Sequence, residues 1–134
     1  MITARSGTPL KEIVATLNAE NQMLPCDPPM FGGRGTFGGA IAAGLSGPGR
    51  PWLGAVRDHV LGVEIINGDA ERLRFGGQVM KNVAGYDLSR LMVGAYGTLG
   101  LILSVSVKVL PRPEVTRTLG VDLDALDAHA RVVE

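Results

Sequence analysis

The chain has 134 residues, 13 of them basic and 13 acidic, so its formal charge is zero. That length suits one domain rather than two, and the missing basic excess excludes a nucleic-acid partner held through its phosphates. One cysteine, Cys26, excludes an internal disulfide, and two distant histidines, His59 and His129, form no cluster with metal-ligand spacing.

Met1–Arg5 reads as a strand end and Ser6-Gly7 as a turn. Thr8 then suits a helix cap, with Pro9 at the first helical position. Leu10, Ile13, Val14 and Leu17 follow the i, i+3, i+4, i+7 spacing of an amphipathic helix that should end near Asn18–Asn21. Met23-Leu24 is a short apolar return. Pro25–Gly35, with three prolines and three glycines, must be a loop.

Thr36–Leu45 (T-F-G-G-A-I-A-A-G-L) is made of small residues, and Thr36 can cap a short helix. Gly44–Pro51 is a second breaker-rich loop. Val60–Asn67 is β-branched and apolar, Asn67-Gly68-Asp69 signals a turn, and Glu71–Phe75 returns as the second strand of a hairpin. Asp87–Met92 suits a short helix. Leu101–Leu110 alternates, which predicts one buried face of Leu101, Leu103, Val105, Val107 and Val109. Pro111 and Pro113 should stop it. Asp122–Val133 reads as a helix with Leu123, Leu126 and Ala130 on one side. The sum is an α+β fold with several strands and few helices.

No apolar run follows basic residues at Met1–Leu10, so the start does not read as a signal peptide. Leu99–Leu110 is too short and too interrupted to span a bilayer. The expectation is a soluble cytoplasmic protein.

The 19 glycines are about twice an average share. They cluster at 32–49, 76–77 and 94–100, a pattern that suggests backbone brought close to something. Gly33-Arg34-Gly35-Thr36-Phe37-Gly38 satisfies G-x-G-x-x-G, but a dinucleotide site of that kind needs a strand directly before it, and here prolines precede it. Two readings of Thr36–Gly39 stand side by side. Its free N–H groups and positive helix end can hold a phosphate, or its small residues can serve tight packing against a sheet. Gly94-Ala95-Tyr96-Gly97-Thr98-Leu99-Gly100 suggests a chain crossing past a ligand, or a plain loop. Gly77–Asp87, with a cation, amides and a phenol, can line a polar pocket or be a solvated loop. Arg57 and Asp58 read as a surface pair and His59 as a strand-end residue. No Ser/His/Asp, Cys/His or paired-carboxylate arrangement stands out, so the residues alone give a glycine-lined anion or nucleotide site and no catalytic group.

Three runs together resemble a known family. They are Leu24–Pro29 (L-P-C-D-P-P), Thr36–Gly44 (T-F-G-G-A-I-A-A-G) and Arg50–Gly62 (R-P-W-L-G-A-V-R-D-H-V-L-G). They are similar to the FAD-binding domain of FAD-linked oxidases, the vanillyl-alcohol-oxidase or PCMH type. Arg74–Gly100 narrows the resemblance to the flavin-binding E subunits of bacterial glycolate oxidases. It covers about residues 3–113.

The resemblance implies the second subdomain of a PCMH-type FAD-binding domain, with a mixed or antiparallel sheet flanked by short helices. It implies FAD as cofactor. Thr36, Phe37, Gly38 and Gly39 would face the pyrophosphate, Ala42 and Gly44 would lie along the same ligand, Gly54 would lie by the flavin, and Leu101 and Ile102 would meet the adenine end. Many relatives carry Asn at the position of Gly44, so one side-chain contact would be lost here. An earlier subdomain with its own glycine-rich loop and a C-terminal substrate domain are also implied. Residues 1–113 would then be part of the FAD-binding domain and 114–134 the start of a further region. The implied reaction is oxidation of a small 2-hydroxy acid, glycolate, to its 2-oxo acid. The implied partners are a second flavin subunit and an iron–sulfur subunit, with attachment to the inner membrane through that complex. Two other readings stay open: a non-catalytic assembly subunit, and a nucleotide-binding module without redox chemistry.

Overall fold

The computed structural model describes residues 1–77 and 85–118. Strand β1 (Ile2–Arg5) leads through a tight turn into helix α1 (Leu10–Ala19), whose buried residues Leu10, Ile13 and Leu17 share one face as their spacing requires. Full burial of a side chain of this size is worth about 1.5–3 kcal/mol. Thr8 does not cap α1. Pro9 occupies the cap position without a side-chain hydrogen bond, and the Thr8 carbonyl instead accepts the Phe37 N–H at 2.8 Å.

A short strand β2 (Gln22–Met23) follows, and then the proline-glycine loop, broken by one 3-10 turn at Phe31–Gly33. Helix α2 (Phe37–Ala43) is capped by Thr36 and ended by Gly44 in the left-handed conformation. The Gly44 N–H returns to the Ile41 carbonyl and the Leu45 N–H to the Ala40 carbonyl, each at 3.0 Å, the double closure that glycine permits at a helix end. Two single-turn helices come next: α3 (Arg50–Leu53), which overlaps the expected loop, and α4 (Val56–His59), just before the expected strand. Their four-residue length leaves no apolar periodicity to read.

Strands β3 (Val60–Ile66) and β4 (Arg72–Gly76) form the expected hairpin. The turn is fixed by Asn67, whose Oδ1 accepts from the backbone N–H groups of Asp69 and Glu71. Asp87 caps helix α5 (Leu88–Leu91) through the Arg90 N–H. Strand β5 (Leu101–Val107) and the short β6 (Leu110–Pro111) complete the described elements. The expected helix at Asp122–Val133 and most of the Gly77–Asp87 stretch lie outside the described residues.

The four-stranded sheet runs in the order β1-β5-β3-β4, antiparallel throughout, and β2 pairs with β6 in a separate two-stranded ribbon. Helix α2 packs on β1 and β5, and α5 on β3 and β4. The core between them includes Phe37, Ile41, Val63, Ile65, Val105 and Val107.

The even alternation predicted for β5 fails at its start. Val105 and Val107 are buried, but so is Ile102 at 6% exposure, while Leu101 is 63% exposed. A register shift is the cause: Glu64 faces Ser104, yet the next residue, Ile65, faces Ile102, so Leu103 is an extra residue on β5. One extra residue turns every earlier side chain to the opposite face. The strand also stops at Val107 rather than Leu110, and Leu110–Pro111 joins the other sheet.

Candidate functional site

Helix α2 spans about 10 Å along its axis, and the candidate residues divide between its ends. At the N-terminal end, the free N–H groups expected for a phosphate are already used. Phe37 donates to the Thr8 carbonyl and Gly38 to the Ser6 carbonyl, both at 2.8 Å. Gly39 donates to Thr36 Oγ1 at 3.2 Å and Ala40 to the Thr36 carbonyl at 3.0 Å. The Phe37 side chain belongs to the core. Gly38 is buried against Ser6, where an added Cβ would lie 2.3 Å from Ser6 Cβ and 2.6 Å from Ser6 Cα. Tight packing therefore accounts for Gly38. Gly39 differs: it is exposed, and an added Cβ would meet only Thr36 Oγ1, but at 2.9 Å, so the capping hydroxyl would have to move.

Ser6 also joins this end of α2 to β5. Its N–H donates to the Leu103 carbonyl at 2.9 Å and its hydroxyl to the Ile102 carbonyl. Leu101 and Ile102 thus lie beside the α2 N-terminal end. Ile102 is buried with its carbonyl committed, and Leu101 offers the accessible surface of the pair.

At the other end of α2, residues from three segments close a cleft of about 530 Å³. Gly44 and Ser46 come from the α2 C-terminal end, Arg50 and Ala55–Asp58 from α3 and α4, and Val93, Gly94 and Tyr96 from the glycine-rich loop. The loop is held to α2 by main-chain bonds, Gly94 N–H to the Ile41 carbonyl at 3.2 Å and Tyr96 N–H to the Ala42 carbonyl at 2.9 Å. Ala42, half-buried against the core, thereby anchors a cleft wall. An added Cβ at Gly44 would lie 3.4 Å from Gly94 Cα, while one at Gly94 would meet nothing within 4 Å.

Two side chains hold this cleft open. Ser46 Oγ accepts the Val56 N–H at 3.0 Å and donates to the Gly44 carbonyl at 3.3 Å, tying α4 to the end of α2. Arg57 donates to the Val93 carbonyl at 3.0 Å. Arg57 and Asp58 do not act as a surface pair, since Asp58 accepts the Ala55 N–H at 3.0 Å. His59 Nε2 lies 2.8 Å from the Leu53 carbonyl and closes α3 onto α4. Between those two helices Gly54 sits at φ 88° and ψ 174°, a backbone region essentially reserved for glycine. Sequence reasoning missed Ser46, Arg50 and Tyr96, because nothing in their spacing joins segments some fifty residues apart along the chain. The weighed option of a chain crossing past a ligand at Gly94–Gly100 was the usable signal.

A second cavity of about 320 Å³ lies on the outer face of the sheet beside Thr3, Glu64, Arg74 and Ser104. Glu64 is paired with Arg72 at 2.8 Å and Arg74 at 3.5 Å. The Arg72 hydrogen bond is the main cause holding its carboxyl below the ordinary range; desolvation opposes this, and the Ser104 hydroxyl and the charges of both arginines assist it. This is a satisfied polar sheet face rather than a reactive group. Among the described residues no helix is long and apolar enough to cross a membrane.

A family model described as an FAD binding domain matches residues 1–76, more than half of the chain. The chain is 56% identical to glycolate oxidase subunit GlcE of Escherichia coli (strain K12) over 134 residues, which are 100% of this chain and 38% of that subunit. It is 34% identical to glycolate oxidase subunit GlcD of Bacillus subtilis (strain 168), with 98% of this chain and 28% of that one covered. Among solved structures, an alkyldihydroxyacetonephosphate synthase superposes with a TM-score of 0.69 at 25% identity, covering 84% of this chain and 20% of its own. The chain thus spans well under half the length of these relatives.

Proposed function

The chain belongs to the FAD binding domain family, and from that premise we propose that it forms the FAD-binding portion of a glycolate-oxidase subunit, serving oxidation of glycolate to its 2-oxo acid. The observation that carries this reading is the similarity to subunit GlcE along the whole chain. When bound, the flavin supplies the two-electron acceptor that this oxidation requires.

The residues present fit such a group at the cleft. Arg50 and Arg57 bring positive charge beside the small residues Gly44, Ala55 and Gly94, so a phosphorylated, planar ligand meets both cations and open backbone. Gly44 and Ala42 line or anchor this end, and Gly54 orients the α3–α4 corner toward it. Gly39, exposed and lacking a side chain beside the Thr36 hydroxyl, carries the approach at the α2 N-terminal end. Thr36, Phe37, Gly38 and Ile102 serve the site by fixing that end in place.

The same reading assigns residues 1–113 to the FAD-binding portion and 114–134 to the start of a further region. It gives the protein a second flavin subunit and an iron–sulfur subunit as partners, in the cytoplasm, with attachment to the inner membrane through that complex. The test is a visible absorption spectrum of the purified chain after FAD is added and the excess removed. A retained flavin band is expected. A folded, flavin-free sample overturns the assignment of FAD binding to this chain.

A further inference from the structure

Among the described residues, four that are not glycine hold a left-handed backbone: Asn21, Phe31, Ala70 and Tyr96. Asn21 is of a type that tolerates this region, and Ala70 sits in the β3–β4 turn. For a bulky side chain the conformation is a true outlier, and such strain gathers where a ligand or a switch makes use of it. Phe31 lines none of the cavities described above. Tyr96 does, on the wall of the α2 cleft, at φ 52°.

Its neighbours Gly94 and Gly97 meet the same backbone demand with glycine, at φ 78° and 76°. Glycine at position 96 would keep the N–H bond to the Ala42 carbonyl and remove the strain. The tyrosine side chain gives the fold little in return, because the residue is 73% exposed. A strained backbone carrying an exposed ring at a cleft wall is explained by what the ring meets there. Arg50 and Arg57 line the same cleft, and the Asp58 carboxylate facing it is occupied by the Ala55 N–H. The wall therefore offers an aromatic face beside positive charge, a combination suited to a planar, electron-poor ring carrying acceptor atoms.

We propose that Tyr96 stacks on the isoalloxazine ring of FAD bound in this cleft, a role that rests on the FAD-binding reading above. Stacking a phenol on a flavin quenches the flavin's fluorescence, and losing such a stack weakens binding by roughly tenfold.

The test compares wild-type chain, Tyr96→Leu, Tyr96→Gly and Tyr96→Trp for FAD affinity, fluorescence of the bound flavin and thermal midpoint without ligand. Tyr96→Leu and Tyr96→Gly are expected to bind FAD roughly tenfold more weakly and to fluoresce more brightly when loaded. Tyr96→Trp retains both affinity and quenching. Tyr96→Gly also melts a few degrees higher than wild type, because strain is relieved. Stability and affinity then move in opposite directions, which a structural role does not produce. Unchanged affinity and fluorescence in Tyr96→Leu, with FAD still bound by wild type, overturns the stacking role alone. Failure of wild type to bind FAD overturns the FAD reading itself and the stacking role with it.

Discussion

Gly38 and Ser6 approach so closely that a single methyl group on Gly38 would lie 2.3 Å from Ser6 Cβ. That contact sets α2 against β1 and brings its N-terminal end beside the start of β5. Gly38→Ala should destabilise the fold by about 1–3 kcal/mol, the usual cost of overpacking, and by more if the Ser6 turn cannot shift. Urea denaturation of the purified chain measures it. An unchanged midpoint would mean that the two segments do not meet this closely in solution.

Gly39→Ala forms the matched comparison. The added Cβ would lie 2.9 Å from the Thr36 hydroxyl that caps α2, so the cap must shift. Loss of capping costs about 0.5–2 kcal/mol, which the better helix propensity of alanine partly offsets. FAD affinity should fall, because position 39 faces outward where the ligand is assigned. A variant of normal affinity would remove Gly39 from the site.

Ser46 is buried and satisfies the Val56 N–H. Ser46→Ala leaves that donor without its partner, at a cost of about 1–3 kcal/mol. The cleft should loosen with it, since Ser46 also joins Gly44 to α4. Hydrogen exchange at Val56 checks this: faster exchange is expected, and an unchanged rate contradicts it.

Glu64 has a folded-state pKa below its ordinary value of 4.5. Its contribution to stability is therefore present above pH 4.5 and is lost as pH falls through the lower folded value. Both arginine partners are largely exposed, so solvent and salt weaken the effect. Glu64→Gln should flatten the acid limb of a stability–pH curve. An identical acid limb in the variant would show that the pair does not form.

Burial, with the neighbouring Asp27 charge as a smaller cause, pushes the Cys26 thiol up to about 11. At pH 7 only about one such thiol in ten thousand is ionised. Native protein should resist a thiol reagent and become reactive on unfolding. The unfolded thiol ionises first, so this group's contribution to stability is full below pH 9.0 and declines as pH rises toward 11. Rapid labelling of folded protein at pH 7 would contradict this burial.

Much local chemistry was legible in the sequence where one segment sufficed, although the expected Thr8 cap failed because Pro9 takes that position. The α1 face, the Thr36 cap, the Asn67 turn and the short helix after Asp87 depend on residues within one or two turns of one another, and the structure has each of them. What depends on distant segments was not legible. The even alternation from Leu101 onward hid the extra residue Leu103, because the register shift is a property of the pairing with β3. The α2 opening looked like a set of free donors, because the acceptors Ser6 and Thr8 come from another element. The glycines of 36–44 therefore divide into different tasks: Gly38 for packing, Gly44 for chain reversal, and Gly39 for room beside the capping Thr36 hydroxyl.

The Gly94–Gly97 loop is fastened to α2 through main-chain atoms, Gly94 to Ile41 and Tyr96 to Ala42. Such a fastening is blind to the identity of the side chain at position 96. The outline of the cleft can then be inherited while the group displayed on its wall is exchanged, so shape and chemistry are free to diverge separately. Exposed on the cleft wall and anchored through its main chain, position 96 is a place where the displayed side chain can change without moving the loop off α2.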